Sequence, residues 1–152
     1  MKKLLFIIAF LFASMFSFSQ GFGSDNTKSM KPIMNSAYNV LDVVETQKGY
    51  EFVRLEFDII KSDAKESYRV LTSAYTYRVG VMGDNDKVET MSIQVYKRLD
   101  DGTYEYVTGK SGEQSDFVDF TPTSTSYYKF VISATFKLGY AGCHYCLMVL
   151  HQ

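Results

Sequence analysis

The polar and apolar residues of this chain follow one period up to about residue 45 and a different one after residue 50. In the first part, apolar residues recur at the spacing that collects side chains on one side of a helix: Met30, Ile33, Met34, Ala37, Leu41 and Val44. Ser29 is placed to cap the first turn, and Pro32 falls inside that turn, where its missing N–H costs nothing. The pattern predicts one amphipathic helix over 29–44. We expect its stripe to pack on the protein's own core, with a partner-binding role for the methionine-bearing face as the alternative.

From Tyr50 onward, apolar and polar residues alternate with a period of two, which is typical of strands that bury one face and expose the other. The longest such segment runs from Tyr128 to Leu138. Between two other segments, Asp101-Gly102 supplies the turn residues that a tight hairpin requires. About eight strands fit between residues 50 and 152. We therefore predict an all-β fold, an antiparallel jelly-roll-like β-sandwich with one N-terminal amphipathic helix.

The first 19 residues have the form of a signal peptide. Lys2 and Lys3 precede an unbroken apolar run of ten residues, and small residues stand at the −3 and −1 positions of a cut before Gln20. Ten residues are too few to cross a hydrocarbon core, which needs about twenty. We expect 1–19 to be removed, 20–28 to be a flexible N-terminus, and the product to be secreted, in the periplasm or outside the cell, with no stable membrane anchor. The Ser-Phe-Ser-Gln end of the signal resembles that of secreted proteins from the Bacteroidetes.

Charge and composition exclude two classes of protein. The chain has 16 Lys and Arg against 17 Asp and Glu, and removal of the signal leaves 14 against 17. A slightly acidic chain without a basic face is unsuited to bind nucleic acid, because such proteins need cations that displace counterions from phosphates. With 46% hydrophobic residues and only two prolines, the chain is too apolar for disorder.

The order of strands and turns also suggests a family. The segments that carry the resemblance are Leu71–Asp84, Met91–Tyr96 with its Asp-Gly hairpin, Val118–Pro122, Tyr127–Ile132 and Gly142–Val149. Over about residues 52–150 this order resembles the bacterial pre-peptidase C-terminal domain. The resemblance implies a small secreted β-sandwich of jelly-roll type that usually accompanies an exported enzyme. Here, only a helix precedes the sandwich.

A Cys-His-Tyr-Cys motif near the end of the chain offers three kinds of chemistry. Cys143 and Cys146 have the spacing of a thioredoxin-like redox centre, but only six residues follow Cys146, too few for the rest of that fold. Export favours a structural disulfide between the two cysteines, which requires a turn at His144-Tyr145, because Cα atoms three residues apart on an extended strand lie about 10 Å from each other. A metal site would add His144 and His151, although zinc usually takes two well-separated pairs of ligands.

An acidic turn over Gly83–Asp86 is the second candidate for metal binding. Asp84, Asp86 and Glu89 could supply oxygen ligands to a calcium ion. The spacing does not match an EF-hand loop, because Val88 and Glu89 stand where that loop needs an Asp or Asn and a glycine. A solvated turn without an ion is the competing interpretation, and we expect no cofactor beyond this calcium possibility.

The sequence contains no recognisable catalytic arrangement. Its two histidines lie within the last nine residues, and no Gly-x-Ser-x-Gly elbow or glycine-rich phosphate loop is present. The paired carboxylates Asp100 and Asp101 fall at an exposed hairpin tip, where nothing would shift their pKa values. We therefore expect a protein that is not an enzyme.

Twelve tyrosines make partner binding the leading functional hypothesis. Tyrosine combines a flat apolar ring with a polar end, which suits sugar stacking and protein interfaces. Four of the tyrosines fall on or near strand faces that could be exposed: Tyr96, Tyr104, Tyr106 and Tyr127. The competing interpretation is that the rings fill the core and edges of the sandwich. We predict a secreted β-sandwich that binds a protein or a glycan, with a small envelope thiol, disulfide or metal-binding protein as the alternative.

Overall fold

The computed structural model describes residues 29–112 and 115–152. The predicted signal peptide, 1–19, and the predicted flexible N-terminus, 20–28, lie outside the described residues. Within the described ranges, no helix is both long enough and apolar enough to span a membrane.

One helix and eight strands make up the described chain. The helix is α1 (Lys31–Lys48), and the strands are β1 (Glu51–Ile60), β2 (Lys65–Leu71), β3 (Tyr77–Gly83), β4 (Val88–Arg98), β5 (Tyr104–Gly112), β6 (Ser115–Phe120), β7 (Ser126–Phe136) and β8 (Cys143–His151). Gly102, at φ +84°, closes the predicted hairpin between β4 and β5.

The strands form two antiparallel four-stranded sheets. The first sheet has the order β1-β8-β3-β6 and the second the order β2-β7-β4-β5. Strands β1 to β4 alternate between the two sheets. Strand β7 then lies between β2 and β4, β8 lies between β1 and β3, and β5 and β6 form edges. This is the strand order of a jelly roll, so the predicted all-β, jelly-roll-like sandwich is confirmed.

The core lies between the two sheets and is formed by the inward-facing half of each alternating strand. Its fully buried members include Val79, Val81, Ile93, Val95, Phe130, Ile132, Leu147 and Val149. Three tyrosines, Tyr77, Tyr128 and Tyr145, are buried in the same core. For these three, the interpretation that tyrosine rings fill the sandwich is correct.

Helix α1 covers the outer face of the first sheet. Ile33 and Ala37 pack against Met82, Cys146 and Met148 in a second apolar layer. The prediction that the helix docks on the protein's own core is confirmed. Met34 is an exception: it lies half exposed on the solvent side, and Val40 packs against the sheet instead.

The bounds of the helix differ from the predicted 29–44. Met30 occupies the N-cap position without a side-chain hydrogen bond, while Ser29 Oγ accepts a hydrogen bond from the backbone N–H of Lys31 at 3.1 Å. The helix continues four residues past Val44 to Lys48, because Gly49 is the residue that ends it. Gly49 adopts φ +68°, the left-handed conformation of a helix C-cap.

Candidate functional site

The outer face of the second sheet carries the candidate site. The main contacts of helix α1 are with β8, β1 and β3, all strands of the first sheet, and Tyr68, Tyr106 and Tyr127 on the second sheet are exposed. We call this surface the tyrosine face. Strand alternation directs the side chains of its four strands to solvent at every second position.

Register places four of these side chains opposite one another across all four strands. Tyr68 on β2 pairs with Lys129 on β7, Lys129 pairs with Tyr96 on β4, and Tyr96 pairs with Tyr106 on β5. We call these four residues the tyrosine row. Since neighbouring strands lie about 4.8 Å apart, the row spans about 14 Å.

Lys129 is held by groups on three other strands. Its Nζ atom lies 5.3 Å from the ring centroid of Tyr96 and 4.6 Å from that of Tyr104. The same atom lies 3.2 Å from Oε1 of Glu66. The ammonium group therefore sits between two aromatic faces and a carboxylate that neutralises its charge.

Glu66 also fixes the ring of Tyr68 at one end of the row. The Tyr68 hydroxyl donates a hydrogen bond to Oε2 of Glu66. This bond to the carboxylate raises the pKa of Tyr68 to about 12. The pKa of Glu66 is lowered, first by the same bond and then by the bond from Lys129. At neutral pH, the end of the row consists of a neutral phenol beside a paired carboxylate.

The other end of the row is a pair of tyrosines in edge-to-face contact. The ring centroids of Tyr96 and Tyr106 lie 5.6 Å apart at 75°, and the Tyr96 hydroxyl donates to Oε1 of Gln94 at 2.9 Å. The hydroxyl oxygen of Tyr106 lies 3.1 Å from where a Cβ atom at Gly109 would stand. The Tyr106 ring therefore leans along β5 over this glycine, which leaves room for it.

A second set of residues on the same face lies beside the tyrosine row. Tyr127 on β7 pairs with Val70 on β2, and Tyr104 on β5 pairs with Arg98 on β4. The Tyr104 ring reaches Tyr68, with centroids 6.2 Å apart. Tyr68, Tyr106 and Tyr127 are 47%, 55% and 53% exposed, so three rings are available to a partner.

Small uncharged side chains occupy the other side of the row. Ser92 and Ser133 face each other with hydroxyl oxygens 2.5 Å apart. Thr90 and Thr135 do the same at 2.6 Å. The tyrosine face thus joins an aromatic half to a hydroxyl-bearing half.

All four predicted tyrosines lie on this face, and the structure brings three of them, Tyr96, Tyr104 and Tyr106, into one cluster. Tyr127 stands apart from their ring contacts. Sequence reasoning missed Tyr68, Glu66 and Lys129. The period-two alternation marks all three as outward-facing, but only the strand register shows that they meet across β2 and β7.

The predicted turn and disulfide at the Cys-His-Tyr-Cys motif are wrong. Residues 143–151 form one continuous strand, and both cysteines are free and buried. Cys143 faces the core between the sheets, whereas Cys146 faces the layer beneath the helix. Residues three apart on a strand point to opposite faces, so their sulfur atoms cannot meet.

The electrostatics of the two thiols also oppose an active dithiol. Burial raises the pKa of Cys143 and raises that of Cys146 to about 12. A redox-active cysteine needs a stabilised thiolate, usually beside a cation or a helix N-terminus. Both thiols are protonated at neutral pH.

The predicted metal ligands of the motif do not converge. His144 lies on the same side of β8 as Cys146, while His151 lies at the far end of the strand against Tyr75 and Tyr77. Over residues 29–112 and 115–152, no group of three His, Cys, Asp or Glu side chains is arranged to hold a metal ion.

The acidic turn at Asp84 is stabilised by its own ion pair and hydrogen bond. A carboxylate oxygen of Asp84 lies 3.0 Å from Nζ of Lys87, and the other accepts a hydrogen bond from the backbone N–H of Asp86 at 3.3 Å. Glu89 is exposed on β4 beyond the turn. The ammonium group of Lys87 takes the position beside Asp84 that a cation would need, so the structure does not bring the predicted calcium ligands Asp84, Asp86 and Glu89 together.

Comparison with known proteins supports the fold and goes no further. No protein-family model matches the chain, and no curated protein matches it. Among solved structures, it is similar to a surface-associated copper-binding protein of Methylomicrobium album, with 8% identity over 62% of this chain and 91% of that one, at a TM-score of 0.51. It is also similar to a periplasmic inhibitor of g-type lysozyme from Aeromonas hydrophila, with 11% identity over 65% and 85% of the two chains, at a TM-score of 0.48. At 8% identity, the likeness to the copper-binding protein shows a shared fold alone.

Proposed function

We propose that this protein is a non-catalytic binding protein that holds a protein or glycan partner on its tyrosine face. One observation carries the proposal: a sheet face with exposed rings on which register aligns Tyr68, Tyr96 and Tyr106 across four strands. A sheet face of a soluble sandwich is normally polar unless it has a partner.

The chemistry of the face supports binding. Tyrosine provides a large apolar contact area with few rotatable bonds and a polar end, a combination that is enriched at interfaces. Here the rings are held in advance by one another, by Gln94 and by Glu66. Rings that are already fixed lose less conformational entropy when a partner binds.

The same contacts support a non-catalytic role. Glu66 and Lys129 are a titratable pair on the face, and each is the other's ion-pair partner. A general acid or base needs an open position toward a substrate and a pKa near the working pH. The hydrogen bonds to Glu66 lower its pKa instead.

We propose that the protein acts outside the cytoplasm after removal of residues 1–19. The basic start, the apolar run of ten and the small residues before Gln20 support this location. The order of strands supports a role like that of the pre-peptidase C-terminal domains, as an accessory module. The mass of the protein recovered from the periplasm or medium tests the location: a chain that begins at Gln20 supports it, and an intact N-terminus found inside the cell contradicts it.

A retention assay tests the binding face. The double variant Tyr106→Ala/Tyr127→Ala removes two exposed rings, and Tyr38→Ala serves as the matched control because Tyr38 is 71% exposed on α1, away from the face. Each purified protein is passed over immobilised bacterial envelope material. We expect the double variant to lose most of the retention and Tyr38→Ala to keep it. Equal retention of all three proteins, or none for the wild type, contradicts the proposal.

A further inference from the structure

We infer that the ligand of the tyrosine face is an uncharged glycan chain that lies across the strands along the tyrosine row. This inference rests on the proposed function and specifies its ligand. It depends on three features: the direction of the row, its charge balance and the chemistry of the residues beside it.

The row offers an elongated platform. Tyr68 and Tyr106 stand at its two ends on the outer strands β2 and β5, with Tyr96 between them. Three inter-strand spacings of about 4.8 Å give it the length of a few sugar rings. The apolar C–H faces of sugar rings pack on aromatic rings, so a linear glycan can contact both ends at once.

The row carries no free charge for an ionic ligand. Its one cation, Lys129, is paired with Glu66 at 3.2 Å and lies against the rings of Tyr96 and Tyr104. Its side chain is only 19% exposed. A polyanionic ligand would need unpaired cations, as recognition of phosphate or sulfate groups does. The charge balance of the row itself therefore favours an uncharged ligand, and the exposed cation beside it, Arg98 on β4, is the group through which an anionic probe would bind instead.

The residues beside the row provide uncharged hydrogen-bonding groups. Gln94 lies next to Tyr96 on β4 and is exposed, and exposed Ser133 and Thr135 lie beyond it on β7. Hydroxyl and amide groups both donate and accept, as the hydroxyl groups of a sugar do. In a ligand site built from aromatic surfaces, a few uncharged polar groups of this kind fix the orientation of the ligand.

A protein partner fits the same face less well. Stable protein interfaces bury about 800 Å² on each partner around an apolar core. On this face, the aromatic rings are concentrated on one side, and serines and threonines line the other side beyond Val131. A folded protein would leave that side hydrated, whereas a hydroxyl-rich chain would pair with it.

Affinity gel electrophoresis tests the inference with the full secreted chain. The neutral probes are dextran, laminarin, galactomannan and arabinoxylan, and the anionic probes are alginate and heparin. We expect at least one neutral polysaccharide to retard the wild type, with no loss of retardation in high salt, because charge does not drive the binding. Tyr68→Ala and Tyr106→Ala should each weaken binding roughly tenfold, which corresponds to about 1.4 kcal/mol. Tyr38→Ala should bind as the wild type does.

The outcomes separate this inference from the proposed function. Absence of retardation by every neutral probe, or stronger retardation by alginate or heparin that salt abolishes, overturns the glycan inference. If, in addition, tyrosine-dependent retention on envelope material is destroyed by protease, the face binds a protein and the proposed function stands. If neither assay distinguishes the tyrosine variants from Tyr38→Ala, both proposals fail. Because Tyr68 and Tyr106 are about half exposed, circular dichroism of each variant checks that it is folded.

Discussion

Lys129 and Tyr96 face each other on adjacent strands, and the ammonium nitrogen of Lys129 lies 5.3 Å from the centroid of the Tyr96 ring. The second ring, that of Tyr104, closes on the same nitrogen at 4.6 Å. This arrangement joins β7, β4 and β5 through side chains as well as through backbone hydrogen bonds. It keeps a cation on an aromatic surface without presenting a free charge.

Replacing Lys129 by methionine tests how much this contact stabilises the sheet. Lys129→Met keeps the length of the side chain but removes the cation–π contacts and the ion pair with Glu66, so we expect the free energy of unfolding to fall by about 1 kcal/mol. The matched control is Lys65→Met, which removes only the exposed pair with Asp58 and should change stability by less than about 0.5 kcal/mol. Urea denaturation measures both. Equal effects of the two variants would show that the rings do not stabilise Lys129.

Gly109→Ala tests the packing beneath Tyr106. A Cβ atom at this position would lie 2.8 Å from the carbonyl oxygen of Ile93 and 3.1 Å from the Tyr106 hydroxyl. Since the first contact is with backbone, we expect a loss of about 1–3 kcal/mol in the free energy of unfolding. We also expect a changed environment for the Tyr106 ring, visible in its aromatic NMR signals. Ser111→Ala, on the same strand, is the control. A variant as stable as the wild type, with unchanged ring signals, would refute the described packing.

Thiol labelling tests the positions of the cysteines. Because Cys143 and Cys146 are buried, free and on opposite faces of β8, we expect neither to react with maleimide in the native protein and both to react after unfolding in urea without reductant. Mass spectrometry counts the labels. If the unfolded protein took up label only after a reductant was added, the result would demonstrate the disulfide that the strand geometry excludes.

Stability at alkaline pH tests the burial of Cys146. Its folded pKa of about 12 lies above the ordinary value of 9.0, so the folded state holds this proton more tightly than the unfolded state does. The resulting stability is complete below pH 9 and is lost as the pH rises toward 12. Tyr145, whose pKa burial raises to about 12, acts in the same direction.

We expect the free energy of unfolding to fall by about 1 kcal/mol or more between about pH 8 and pH 10.5, and the fall to be smaller in Cys146→Ala. Urea titrations at the two pH values measure this difference for each protein. The same fall in the variant and the wild type would show that Cys146 does not contribute to it.

The sequence pattern predicts the fold well, because both periods reflect burial directly. Alternation identifies the strands, and the apolar stripe from Ile33 to Val44 identifies the helix and the side that docks. The pattern is less informative about where the helix ends. The helix ends before Gly49, which adopts the left-handed conformation, and not at Val44, where the apolar stripe ends. The turn predicted at His144-Tyr145 is wrong because it follows from the disulfide hypothesis, whereas the residues from Cys143 through Leu150 form one strand.

The candidate site is only half predictable from the sequence. Residue type and strand alternation together mark Tyr96, Tyr104, Tyr106 and Tyr127 as candidates for the outer face of the sheet. The partners Tyr68 and Lys129, however, lie 28 or more residues from Tyr96 along the chain. Their meeting depends on the jelly-roll order that sets β7 between β2 and β4. A non-local register of this kind leaves no local signal in the sequence.

Hydroxyl-radical footprinting of the protein bound to envelope material tests the tyrosine face most directly, because exposed rings on and off the face report in the same molecule. Tyr68, Tyr106 and Tyr127 lie on the face, and Tyr38 lies on α1 on the opposite side of the sandwich. We predict that bound material slows oxidation of the three face tyrosines and leaves the rate at Tyr38 unchanged. Unchanged oxidation of all three, or protection of Tyr38 in their place, would contradict the assignment of this face as the binding surface.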